Sequence, residues 1–142
     1  ISAALTVAET GHLVFATLHT QDAAQTVDRI IDVFPSHQQQ QVRIQLSSTL
    51  KAVISQVLLP RKDAKGRVAI REIMIVTPAI SNLIREGKTH QIYTAIETGG
   101  KFGMISLDKA LVDAVRKGLI TTQDAISKAQ NPENVRSLLS YL

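Results

Sequence analysis

Two β-rich runs, residues 54–59 and 67–76, flank the polar loop Pro60, Arg61, Lys62, Asp63, Ala64, Lys65 and Gly66. Aliphatic and β-branched runs on either side of a glycine-containing loop predict an antiparallel hairpin. On both sides of that hairpin the apolar spacing changes to the helical period. Before it, Val27, Ile30, Ile31 and Phe34 recur at i, i+3, i+4 and i+7, a single apolar stripe. Asp22 can cap that helix and Pro35 ends it. Ser36 can cap the next helix, whose buried face is expected at Val42, Leu46, Leu50 and Val53. After the hairpin, Thr77 and Pro78 open a helix with proline at its first position; Ile80, Leu83 and Ile84 give it an apolar face and Gly87 stops it. Further helices are expected near residues 89–98, 107–117 and 132–139. Arg116 and Lys117 in a last turn precede Gly118, and Thr121 with Asp124 resembles a capping box for one more short helix.

The beginning of the chain reads as a helix already under way over residues 1–9, stopped at Gly11; with no initial Met it is expected to be a piece of something longer. Residues 12–18 then form a short apolar run that suits a strand buried on both faces, as in a parallel sheet. Helix, strand and helix in succession suggest an α/β core.

Composition narrows the function classes. The 142 residues amount to about one domain. With 44% apolar but only 4% aromatic residues, the core must be built from Ile, Leu, Val and Ala. There is no cysteine, which excludes a disulfide framework and any Cys-based zinc site. No apolar run approaches the ~18 residues of a membrane span, and no signal peptide is visible. The net charge of +4 is uneven: residues 1–40 set Arg29 against Glu9, Asp22, Asp28 and Asp32, so the bases concentrate beyond them. A basic part of this kind could face phosphates, lipid headgroups or an acidic partner, or be a solvated mixed surface.

The densest polar cluster surrounds the expected first strand: Thr10, Gly11, His12, Thr17, His19 and Thr20. Side chains alternate faces along a strand. His12 and His19 lie seven positions apart, an odd offset, so a regular strand would point them to opposite faces, and no metal site is expected from them. Ligands of parallel sheets collect beyond the carboxyl ends of the strands. His19 and Thr20 lie at that end, which makes His19 the expected functional contact, through a hydrogen bond to a terminal phosphate or as a relay between subunits.

The segment TGHLVFATLHT, residues 10–20, resembles the histidine box of the secretion and pilus ATPase superfamily. Similarity continues through residues 22–35. A second segment, Ala79, Ile80, Ser81, Asn82, Leu83, Ile84, Arg85 and Glu86, is similar to the signature AIRNLIRE of the type IV pilus retraction branch, the PilT-type ATPases; Ser81 stands where that branch usually has arginine. The resemblance implies that residues 1–77 are the C-terminal remainder of a RecA-like P-loop ATPase core carrying the hairpin, and that residues 78–142 are a helical subdomain. It implies a homohexameric ring in the parent protein, in which His19 is catalytic and ATP turnover retracts pili. The ring would sit in the cytoplasm, peripheral at the inner membrane and docked to the pilus platform protein.

A P-loop needs G-x-x-x-x-G-K-[S/T], so that backbone N–H groups and a lysine meet the phosphates. Gly100 and Lys101 come nearest, but Ala95 replaces the first glycine and Phe102 the hydroxyl residue. ATP and Mg²⁺ are therefore expected to be held mainly by residues outside this chain, which alone should hydrolyse no ATP. Two other readings compete. A pilus-assembly or type II secretion ATPase shares the histidine box, but such proteins usually carry a four-cysteine zinc element. A basic winged-helix nucleic-acid binder could use Arg61, Lys62, Lys65 and Arg67 as a wing; no nucleic-acid partner is expected.

Overall fold

The computed structural model describes residues 1–141. Helix α1 (Ser2–Glu9) is followed by an irregular segment, then α2 (Ala23–Asp32) and α3 (Ser36–Thr49). Strands β1 (Ala52–Pro60) and β2 (Arg67–Ile75) come next, and α4 (Pro78–Glu86) and α5 (Ile92–Glu97) follow them. The chain then runs through α6 (Leu107–Arg116), α7 (Thr122–Lys128) and α8 (Pro132–Ser140). The result is a mixed α/β fold with one antiparallel hairpin among helices, as the sequence predicts.

The stop signals act as expected. The Asp22 side chain caps α2 by accepting the Gln25 N–H at 2.8 Å. Thr77 does the same for α4, and Gly87 ends that helix with φ +71°. Three expectations are corrected. Residues 12–18 form no strand, and Leu13 and Phe15 are 80% and 88% exposed. A strand needs neighbours to take its N–H and C=O groups, and among the described residues β1 and β2 pair only with each other as named strands. Ser36 is the first residue of α3 rather than its cap; Pro35 occupies the cap position and no side chain bonds there. Val53 belongs to β1, because α3 ends at Thr49 and Leu50 turns the chain into extended backbone.

Two apolar clusters form the interior. The first gathers Leu5, Val27, Ile31, Val42, Leu46, Met74, Ile80, Ile84, Ile92 and Ile96, so α1 to α5 converge on the end of β2. The second joins Leu59 and Ile70 of the hairpin to Leu107, Leu111, Ala125, Val135 and Leu139 of the last three helices and to Ile120 between α6 and α7. The hairpin serves both clusters. Along β2 the residues facing inward are Ile70, Glu72 and Met74, with Ser55 opposite Glu72 on β1. The other face of β1 carries Ile54 and Leu58, 65% and 49% exposed.

Candidate functional site

The histidine-box residues lie between α1 and α2, on a segment held at both ends. At the first end, Thr10 donates its hydroxyl to the Val7 carbonyl at 2.8 Å and lies 3.1 Å from Nδ1 of His12. Gly11 makes the turn there with φ +92°, a conformation that glycine enters without steric cost. At the second end, the hydroxyls of Thr20 and Thr26 are 2.6 Å apart, and Thr26 also donates to the Asp22 carbonyl at 2.8 Å. Between these anchors Leu18 packs against the first core, while Thr17 and His19 are exposed. His19 therefore sits one residue before a well-tied turn, with its imidazole facing outward. His12 is exposed as well, at the far end of the segment. Among the described residues no group of three His, Asp or Glu side chains is arranged to hold a metal ion.

The second segment is α4, where Ala79, Ile80, Ser81, Asn82, Leu83, Ile84, Arg85 and Glu86 follow Pro78. Ile80 and Ile84 are fully buried and Leu83 is half-buried against the same core. Asn82, Arg85 and Glu86 face outward. Asn82 donates to Glu86 at 3.0 Å, and Lys88 pairs with Glu86 at 2.7 Å. That pairing, with the Asn82 bond, holds the Glu86 carboxyl below its ordinary range. Ser81, the departure from the signature, points inward: its hydroxyl donates to the Ser47 carbonyl at 2.6 Å and so fastens α4 to α3. Behind α4, Thr89 donates to Asp28 of α2 at 3.1 Å.

Gly100 and Lys101 belong to a short 3-10 turn, Gly100–Phe102, and the Lys101 ammonium lies 5.0 Å from the Phe102 ring centre. Its charge is directed at an aromatic face.

Sequence reasoning missed two buried carboxylates. Glu72 is 1% exposed; Oε1 accepts the Ala23 N–H at 2.9 Å and Oε2 accepts the Leu107 N–H at 3.2 Å. Burial raises its pKa against the lowering effect of those two bonds, and the charges of Asp22 and Asp108 raise it further. Asp108, also 1% exposed, accepts from the Gln130 N–H at 2.7 Å, the Asn131 N–H at 2.9 Å and the Tyr93 hydroxyl at 3.0 Å. Burial, then the Asp108 charge, pushes the Tyr93 pKa up. Asp22, Glu72, Tyr93 and Gln130 line a small cavity of about 100 Å³. A signal for Glu72 existed: it occupies the inward register between Ile70 and Met74, where a carboxylate is found only with partners.

Comparison with known proteins brings these observations together. Residues 1–64 match the family described as Type II/IV secretion system protein. The chain is 58% identical over 134 residues to the Type IV pilus retractation ATPase PilT of Pseudomonas aeruginosa, covering 94% of this chain and 39% of that protein. It is 54% identical over 135 residues to the Twitching motility protein of Neisseria gonorrhoeae, covering 95% of this chain and 36% of that one. Among solved structures, the pilus retraction motor PilT with bound ADP superposes with a TM-score of 0.84 at 43% identity, covering 96% of this chain and 38% of that chain. The chain thus spans less than two fifths of the length of these relatives.

Proposed function

We propose that the chain is part of a PilT-type pilus retraction ATPase and serves a hexameric ATP-driven motor that retracts type IV pili. The observation that carries this reading is the 58% identity sustained over 94% of the chain. The relatives reported are retraction and twitching proteins, so the assembly or secretion reading is not favoured, and the winged-helix reading even less.

In this proposal residues 1–77 are the remainder of the nucleotide-binding core and residues 78–142 the helical subdomain. Ile80, Ile84, Ile92 and Ile96 of the second share one apolar core with Val27 and Ile31 of the first, which supports mechanical communication between them. His19 would meet the terminal phosphate of ATP or a group that reads it. Its exposure beside the Thr20–Thr26 anchor suits a contact completed by a neighbouring surface. The residues present do not fit a complete nucleotide site: the sequence has no P-loop, and no described acidic cluster suits Mg²⁺. ATP and Mg²⁺ would be held mainly by other residues of the parent protein.

The outward residues Asn82, Arg85 and Glu86 of α4 would carry coupling rather than chemistry. No described helix is long and apolar enough to cross a membrane. A cytoplasmic position, peripheral at the inner membrane and docked on the pilus platform protein, completes the proposal. The exposed Leu13, Phe15, Ile54 and Leu58 suit burial by the remainder of the parent protein.

The test is a chimera in which this chain replaces the matching segment of the Pseudomonas aeruginosa PilT. Restored ATP hydrolysis and twitching support the reading. A chimera that folds and assembles but neither hydrolyses ATP nor retracts pili refutes it.

A further inference from the structure

Glu72 stands at the seam between the two apolar clusters. On the inward face of β2, its neighbour Ile70 packs into the cluster of the last three helices, and Met74 packs into the cluster of α1 to α5. The carboxylate reaches one helix from each side. Ala23 is the first residue of α2 and Leu107 the first of α6, and each gives its backbone N–H to a different Glu72 oxygen, at 2.9 and 3.2 Å. The first N–H groups of a helix have no acceptor within the helix. The partial positive charge of both helix starts favours a carboxylate at that point.

Both helix starts are tied onward. Before α2, the Thr20–Thr26 hydroxyl pair at 2.6 Å and the Thr26 bond to the Asp22 carbonyl at 2.8 Å fix the turn that follows His19. Before α6, Ile105 exchanges backbone hydrogen bonds with Ile73 at 2.9 and 3.1 Å, directly beside Glu72. A continuous series of bonds therefore runs from the end of the histidine box through α2, Glu72 and Leu107 to α6. We infer that Glu72 is a positioning residue, a clamp that makes the turn after the histidine box and the α6 start move as one body.

The side-chain chemistry accounts for the residue type. A carboxylate offers two acceptor oxygens and no donor, one for each helix. Glutamine has the same shape but sets an NH₂ donor against one of the two N–H groups. An apolar side chain would fill the space and leave both donors unpaired.

The experiment has a part independent of the motor proposal and a part that rests on it. Residue-resolved hydrogen exchange on the full-length protein should find the Ala23 and Leu107 amides protected to a similar degree, because one opening of the carboxylate releases both. In Glu72→Gln at least one of these amides should exchange about tenfold or more faster, while Val27 and Leu111, inside the same helices, keep their protection. Unequal protection in the unmodified protein, by more than about tenfold, overturns the clamp, as does unchanged exchange in Glu72→Gln. The unmodified-protein measurement decides even where the variant does not fold.

In the motor, Glu72→Gln should slow pilus retraction more than it slows ATP hydrolysis, a split that loss of stability alone would not produce. Proportional loss of the two overturns the transmission role. Should His19→Ala leave turnover unchanged, the proposed role of His19 fails while the exchange result still judges the clamp.

Discussion

Helix α4 offers a separation of packing from coupling on adjacent residues, Ile84 and Arg85. Ile84 is 0% exposed and lies in the cluster with Val27, Ile31 and Ile80. Ile84→Ala removes three carbon atoms from a closed core, and at ~0.8 kcal/mol per buried carbon the transfer loss alone is about 2.4 kcal/mol. A residual cavity adds to this, so the expected destabilisation is roughly 3–4 kcal/mol, within the usual range for such truncations. Leu83→Ala should cost less, because Leu83 is only half-buried. Arg85 is exposed, and among the described residues its side chain makes only a 3.5 Å contact with Asn82. Arg85→Ala should therefore change stability by no more than ~0.5 kcal/mol. The assays are urea unfolding for stability, and paired ATPase and twitching measurements in the full-length protein. Ile84→Ala should lower the urea midpoint strongly. Arg85→Ala should leave it in place and impair retraction more than hydrolysis. An Arg85→Ala protein as destabilised as Ile84→Ala would refute the two-faced reading of the helix. Hydrolysis and motility falling in proportion would instead put α4 in the catalytic machinery.

Other consequences are equally direct. His19→Ala should leave stability within ~0.5 kcal/mol, since the side chain is exposed, and should lower turnover with nucleotide binding nearly intact; steady-state kinetics with a binding titration checks this. Asp108→Ala strands two backbone N–H groups and the Tyr93 hydroxyl, so a loss of at least about 2 kcal/mol is expected in urea unfolding; a loss within error would contradict the burial argument. Glu72 predicts a pH effect. Its pKa is raised in the folded state, chiefly by burial, so the folded protein holds the proton more tightly than the unfolded one. The Glu72 contribution to stability is thus largest below the ordinary glutamate value of 4.5 and declines as pH rises from there through the raised value. Relative to Glu72→Gln, the urea midpoint of the unmodified protein should fall across that interval; a rise would show that the two N–H bonds outweigh desolvation.

Much of this fold is legible in local sequence because its signals are local. Caps at Asp22, Thr77 and Thr121, the stops at Gly11, Gly87 and Gly118, and the hairpin around residues 60–66 depend on a few neighbouring residues each. The apolar stripes of α2 and α4 follow from helical spacing, and the buried Val27, Ile31, Ile80 and Ile84 occupy the positions that spacing predicts. Similarity to retraction ATPases is likewise carried by contiguous segments.

The misread elements depend on what lies across space. Residues 12–18 have the composition of a buried strand, yet a strand exists only where other strands accept its hydrogen bonds, and none of the described elements does so. In sequence Ser81 is only a departure from the signature; its contact, the Ser47 carbonyl, comes from another helix. Glu72 carried an alternation signal, one acid in an inward register, but that signal does not name its partners. Local sequence determined the elements and their apolar faces, because backbone preference and side-chain spacing act over a few residues. Only tertiary structure decided that Ala23 and Leu107 meet on one carboxylate, because residues so far apart in the chain are brought together by the packing of two separate cores.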